Sequence, residues 1–358
     1  MALQSSGQIS LNDLHVEAGG TTLTEASIND SDIRGMIDKA AGAQNAFSEY
    51  YGASSEQSFS ITSNQTNLDL ATYLTNEGWN GSSTAIVTIN SGVWIISNVY
   101  TTAALTISNA FNNKLQLINN GIIMGKGGNG QYRESSPGST YGIQYGGDAV
   151  SNSATGVVFT NNSGAYLAGG GGGGAAGAND GSGNDMGSGG GGAGGGRGGP
   201  YPTSVINGGP FPNGGGINGY GTNGYRTNPY YGWGGGAGGG GGAGDSNDGA
   251  DGGGGGRRVD AVTNPLGGTN VGRYNYGTRG AFGGLGGNDD VDGGNGGGLN
   301  SAGSNGQVSG SDSGGGGGGG YGAKGGNGRN QTGANGGAAW GGVDWASVTN
   351  NGTIWGST

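Results

Sequence analysis

Cysteine is absent from the 358 residues, so neither a disulfide framework nor a thiolate metal site is available to staple the chain. A single histidine, His15, has no nucleophile or carboxylate arranged around it, which argues against triad chemistry. Charge is sparse and acidic, with 23 Asp and Glu against 13 Lys and Arg, and this disfavours bulk attraction to nucleic acid or to an anionic membrane. Proline occurs only seven times and glycine keeps no strict three-residue period, so a collagen helix is excluded. The longest apolar stretches, Gly92-Val-Trp-Ile-Ile96 and Gly121-Ile-Ile-Met124, are too short to cross a bilayer. No basic region followed by an apolar run opens the sequence, so a soluble chain without a secretory signal is expected.

Large apolar residues are scarce as well: Leu, Ile, Val and Phe total 52, about 15% of the chain. Glycine takes their place with 98 residues, only nine of them before Asn120. The chain is therefore two materials. The first third holds 28 of the 52 large apolar residues and can bury a modest core. The remainder must be disordered or held by backbone hydrogen bonds.

Residues 1–55 read as a small α+β unit. Ile9 and Leu11 alternate as on a strand, and His15 falls in the same strand-like segment. Asn29-Asp-Ser31 offers caps for a short helix carrying Ile33, Met36 and Ile37, which Gly42 can end. Residues 56–125 read as a β-rich unit with strands at 58–62, 84–89, 93–96, 103–107 and 114–118 and a helix bearing Leu68, Ala71 and Leu74. One motif recurs, an apolar pair, an Asn-Asn turn, a second apolar pair and glycine: Leu117-Ile-Asn-Asn-Gly-Ile-Ile-Met-Gly125, Val158 to Gly169, and Val348 to Gly356. These copies predict a layer of strands anchoring the glycine-rich part.

Glycine runs at 169–174, 189–199, 234–244, 252–256, 283–287, 293–298 and 314–320 admit two readings. One is a flexible linker. The other is a bundle of extended threefold polyglycine helices, whose N–H and C=O groups are free to bond neighbours because no Cβ keeps the backbones apart. Aromatic residues crowd the interruptions, unlike in a monotonous linker, so the ordered reading is preferred.

At this point the sequence resembles a known family. Asn67-Leu-Asp-Leu-Ala-Thr-Tyr-Leu through Gly78-Trp-Asn-Gly81, the run from Leu117 to Gly130 and the later glycine blocks look like the glycine-rich receptor-binding adhesins of tailed bacteriophages. Gln8-Ile-Ser-Leu-Asn-Asp-Leu14 and Phe47-Ser-Glu-Tyr-Tyr-Gly52 resemble an N-terminal segment that recurs in phage structural proteins. The resemblance implies a virion tail or tail-fibre location and a mostly β and irregular fold. Residues 1–55 would be a virion-attachment unit binding tail proteins, 56–125 a β-rich adaptor, and 126–358 a polyglycine-helix domain with recognition loops. Its implied partner is a host outer-membrane protein or surface polysaccharide, with no cofactor, no nucleic acid, no membrane insertion and no enzymatic step; a homo-oligomer is compatible with it. The chain departs from the family in its long insertions at 200–233 and 257–282.

Candidate recognition residues lie in the aromatic interruptions: Tyr132, Tyr141 and Tyr145; Tyr220, Tyr225, Arg226, Tyr230, Tyr231 and Trp233; and Arg273, Tyr274 and Tyr276. Tyr, Trp and Arg set in Gly, Ser and Asn give rigid amphipathic area with adaptable hydrogen bonding. Against this, the rings serve equally as apolar caps on a glycine body. Acidic interruptions at Asp180, Asp185, Asp245, Asp248, Asp251, Asp289, Asp290, Asp292 and Asp312 read as solvated turns rather than calcium loops, Asn288 standing where the calcium nonapeptide needs Asp. Gly125-Lys126 lacks the flanking Gly and Ser/Thr of a phosphate loop. If each run is one traverse, parity puts Asp180 at the end far from the strands and 200–233 at the near end; the aromatic loops are nevertheless retained as the site. A purely structural tail component is the competing reading, and an ice-binding protein and a depolymerase lack the flat regular face or the selected carboxylate pair they need.

Overall fold

The computed structural model describes residues 3–40, 42–133, 140–141, 145–175, 192, 301–306, 308–309, 312–313, 316, 318–319, 322–327, 332–342 and 345–356. Residues 3–53 carry their own small core of Leu14, Ile33, Met36 and Tyr50. Here α1 (Leu11–Glu17) replaces the strand expected around Ile9 and Leu11. The Ser10 hydroxyl accepts from the Asp13 N–H while the Asp13 carboxylate accepts from the Ser10 N–H. This reciprocal cap satisfies two backbone donors and lets Leu11 and Leu14 share one helical face. His15 consequently sits on a helix, and no strand occurs among the described residues of this unit. The helix expected through Ile33, Met36 and Ile37 forms only as the short α2 (Ser31–Gly35), with Met36 as its C-cap and Ile37 beyond it, and a 3-10 turn follows over Phe47–Tyr50.

Beyond it the chain winds as a three-sided parallel β-solenoid. Strands β1 (Glu56–Ile61), β2 (Gln65–Thr66) and β3 (Leu68–Asp69) make the first coil. A helix, α3 (Leu70–Asn76), then leads to the second coil of β4 (Thr84–Ile89), β5 (Trp94–Ile96) and β6 (Leu105–Ile107). β7 (Leu115–Asn119) and β8 (Ile122–Met124) open the third coil, a hairpin of β9 (Tyr132–Arg133) and β10 (Thr140–Tyr141) intervenes, and β11 (Val150–Asn152) closes it. β12 (Val157–Asn161) and β13 (Tyr166–Ala168) open the fourth. It closes only at β16 (Trp340–Gly342), after a second hairpin of β14 (Val308–Ser309) and β15 (Asp312–Ser313). β17 (Trp345–Asn350) and β18 (Thr353–Trp355) begin a fifth. The sheet orders β1-β4-β7-β12-β17, β2-β5-β8-β13-β18 and β3-β6-β11-β16 follow directly, and every pairing within them is parallel. The architecture is thus mostly β.

Period-2 alternation in β4, β7 and β12 turns one set of side chains inward. Stacked register then places Val87, Leu117 and Phe159 in one buried column and Ile89, Asn119 and Asn161 in the next. Each fully buried aliphatic of such a column stabilises the fold by roughly 1.5–3 kcal/mol. The three copies of the repeated motif prove to be successive corners of the solenoid, stacked on one another. Asn119 Nδ2 donates to Asn161 Oδ1 at 2.8 Å and Asn161 Nδ2 to Asn350 Oδ1 at 2.9 Å, while Asn162 Nδ2 reaches Asn120 Oδ1 at 2.7 Å. Trp79 stacks on Phe111 with ring centroids 4.5 Å apart, holding α3 and its exit turn over the core.

Candidate functional site

Two excursions leave the solenoid from the ends of β8 and β13, and both enter glycine. Gly125, Gly128 and Gln131 donate their backbone N–H to the carbonyls of Ala168, Gly171 and Gly174, so the two outgoing segments run side by side with a bond every third residue. Gly316, Gly319 and Gly322 donate to Ala175, Gly172 and Gly169 with the same step and in the opposite direction. Ala334 and Gly337 donate to Gly173 and Gly170, again antiparallel, while Gly172 and Ala175 donate to Ala323 and Gly326 in parallel. The segment 169–175 is thus enclosed by neighbours chosen by place in a three-residue cycle, and it is wholly buried. Absence of Cβ is what permits this approach: a methyl on Gly170, Gly172 or Gly173 would overlap the carbonyl oxygen of Lys126, Ala334 or Asn129.

The bond register orients each segment. Gly322 lies against Gly169 and Gly356 beside the coils, where its φ of +63° turns the chain outward again into 323–327. Residues 303–306 run parallel to 324–327, so they too lead outward, into the β14–β15 hairpin. Returning segments 146–149 and 335–338 lie in parallel and feed β11 and β16. The β9–β10 hairpin, the β14–β15 hairpin and the chain beyond Ala175 therefore all depart from the end remote from the coils.

Of the candidate recognition residues, Tyr132 and Tyr141 pair with each other across the β9–β10 hairpin, which closes the first excursion. Tyr145 opens the returning segment and is 64% exposed. Tyr220, Tyr225, Arg226, Tyr230, Tyr231, Trp233, Arg273, Tyr274 and Tyr276 lie outside the described residues, as do the acidic residues from Asp180 to Asp292. Asp312 falls on β15. Sequence reasoning missed Val99 and Tyr100, exposed on the turn between β5 and β6. Ser97 shapes that turn: its hydroxyl donates to the Val99 carbonyl at 2.5 Å and accepts from the Val99 N–H at 3.0 Å. The backbone of Tyr100 abuts Gly147, two residues beyond Tyr145, so the two tyrosines flank one stretch of surface. A Val-Tyr pair inside a Ser/Asn/Thr turn was the available signal.

Titratable groups with displaced pKa values sit elsewhere. Hydrogen bonds from the Ser10 hydroxyl and N–H lower the Asp13 carboxyl, and Lys39, paired with Glu49 at 2.6 Å, lowers Glu49 together with the Ala46 N–H. Burial raises Tyr50 and Tyr73. All four lie on residues 3–53 or α3, and none faces the glycine body. Among the described residues no cluster of His, Asp and Glu is arranged to hold a metal ion, and no helix is long and apolar enough to cross a membrane. The geometry offers exposed aromatic and polar surface on a rigid support, which suits binding.

No curated protein matches the chain. Among solved structures it is similar to the gp37–gp38 adhesin tip complex of the bacteriophage S16 long tail fiber, with 17% identity over 99% of each chain and a TM-score of 0.41. The family model for the phage tail fibre adhesin Gp38 matches residues 56–251. That match takes in both the solenoid coils up to β13 and the first glycine excursions, more than half of the chain, and the chain belongs to the Gp38 family of phage tail fibre adhesins, components of the virion's tail fibre.

Proposed function

We propose that the chain adheres to the host bacterium through loops carried at the outer end of a bundle of threefold polyglycine helices, by binding alone and without a chemical step. Residues 1–55 hold it to the tail fibre, 56–125 act as a β-rich adaptor, and 126–358 form the recognition domain. The three-residue step of the backbone bonds around 169–175 supports the bundle, because a threefold helix presents the same face at that interval. The observation that carries the adhesive role is the departure of two hairpins and of the chain beyond Ala175 from one end, remote from the coils. Tyr132, Tyr141 and Tyr145 supply the first excursion's contacts. Tyr220, Tyr225, Arg226, Tyr230, Tyr231, Trp233, Arg273, Tyr274 and Tyr276 supply those of the later ones, toward an outer-membrane protein or surface polysaccharide.

Fluorescently labelled full-length protein, presented to a panel of bacterial surfaces that includes the host, tests this. Strain-selective binding is the expected result. It should be lost in Tyr132→Ser/Tyr141→Ser/Tyr145→Ser and in Tyr225→Ser/Tyr230→Ser/Tyr231→Ser/Trp233→Ser, with circular dichroism unchanged. Absence of binding across the panel would leave a structural component of the fibre with no receptor contact.

A further inference from the structure

Leu23 stands out in the N-terminal unit on two independent counts. It is 89% exposed, the most open of the large apolar side chains among the described residues. Its φ of +62° also puts a bulky residue in the left-handed region, where glycine or asparagine is the ordinary occupant. Neither cost is offset by burial. The surroundings instead hold Leu23 in this pose: its N–H donates to Asn12 Oδ1 at 2.7 Å, Thr24 N–H closes the turn onto the Thr21 carbonyl, and Thr24 Oγ1 lies 2.7 Å from His15 Nε2. Asn12 and His15 both belong to α1, so the helix presents the leucine. Strain held in place by neighbours, on a residue with nothing to bury, marks a contact made outside the chain.

Beside this knob lies an open groove of about 410 Å³, with Leu3, Ile9 and half-exposed Val16 supplying apolar walls and Asp13 and Glu17 supplying carboxylates. The unit that carries it is acidic as a whole. Residues 3–53 carry Asp13, Glu17, Glu25, Asp30, Asp32, Asp38 and Glu49. Of the two cations, Arg34 is buried against the carbonyls of Ala40 and Ala43, and Lys39 is paired with Glu49. A unit of this charge, with Asp13 and Glu17 at the groove, repels an anionic lipid surface and a second copy of itself, and it attracts a basic partner.

We infer that Leu23 is the apolar anchor by which the N-terminal unit docks on a protein of the tail fibre, and that the receiving surface is an apolar socket rimmed by Lys and Arg. The inference rests on the reading that residues 1–55 attach the chain to the fibre. Tail fibres isolated from particles lacking this chain are the probe, immobilised and titrated with full-length protein. Leu23→Gly relieves the backbone strain while removing the anchor, so binding should weaken at least tenfold while the thermal midpoint stays level or rises. Leu23→Met should bind within about threefold of the parent, whereas Glu25→Lys and 0.5 M NaCl should each weaken binding. Unchanged affinity of Leu23→Gly, or affinity insensitive to salt and to Glu25→Lys, would overturn the inference. A photocrosslinker at position 25 separates the two levels. Crosslinking to the fibre with unaltered Leu23→Gly affinity refutes the anchor and leaves attachment through this unit standing; no crosslink with unaltered affinity refutes both.

Discussion

Gly20 packs its backbone against the imidazole of His15 so closely that a methyl group there would enter the ring. Gly20→Ala must push the imidazole aside, break its contact with Thr24 and loosen the turn that carries Leu23. We expect a loss of about 1–3 kcal/mol, read as a lowered urea midpoint of the N-terminal unit, with Gly19→Ala as the strained but sterically open control. Little of this was legible in the sequence. Ile9 and Leu11 share a strand's alternation, whereas Leu11 and Leu14 share a helical spacing, and the arbiter is the Ser10–Asp13 cap rather than the apolar pattern. Reading Ser10-x-x-Asp13 as a capping signal was the available route to α1 and to the position of His15.

At the level of the element, the longer strands were legible where they alternate, as in 84–89, read with its bounds intact, and the Asn-Asn repeat was found in all three copies. Their stacking was not legible, since period-2 alternation fixes which face is buried and says nothing of which strand lies alongside. The asparagine ladder gives the stacking an energetic handle. Asn161 is fully buried and bridges two rungs, so Asn161→Ala leaves Asn119 Nδ2 with only the longer bond to the Tyr166 carbonyl and Asn350 Oδ1 with the Gly352 N–H; it should cost about 2 kcal/mol in chemical denaturation. Asn350→Ala, at the exposed end of the same ladder, should cost under about 1 kcal/mol. Equal losses at both positions would show that the ladder's burial gradient does not set its energetics.

At the scale of the whole molecule, Gly172→Ala places a methyl on the carbonyl of Ala334 in the most enclosed segment of the glycine body. The coils do not depend on that contact. We expect the substitution to abolish binding to host cells and to lower the body's stability by about 3 kcal/mol, while attachment to fibres persists, as co-sedimentation with fibres would report. The run at 169–174 is ordered by backbone bonds, as one of the two readings of the glycine runs expected; the runs from 234 to 298 lie outside the described residues. Counting runs as traverses misses the outgoing segment 323–327: Gly316, Gly319 and Gly322 of the run at 314–320 and just beyond it lead back to the coils, and the chain leaves again through Ala323-Lys-Gly-Gly-Asn327, too mixed to be read as a run. The turn glycine, Gly322, directly follows Tyr321, so the mark of the turn lay in the residues that interrupt the glycines.

The fourth coil opens with β12 and β13 and waits for β16, and Val157 meets Trp345 only after 187 intervening residues. For a chain emerging from the ribosome, this defers closure until β16 and β17 have been synthesised, and it makes folding slow, because the long loop must be closed before its contacts reward it. Until β17 and β18 arrive, Phe159 and Leu167 stay uncovered on the side that Val348 and Ile354 will face. Loss of these two strands would therefore deprive the earlier coils of their lid, so the solenoid is sealed only once the whole glycine-rich excursion has been made and retraced.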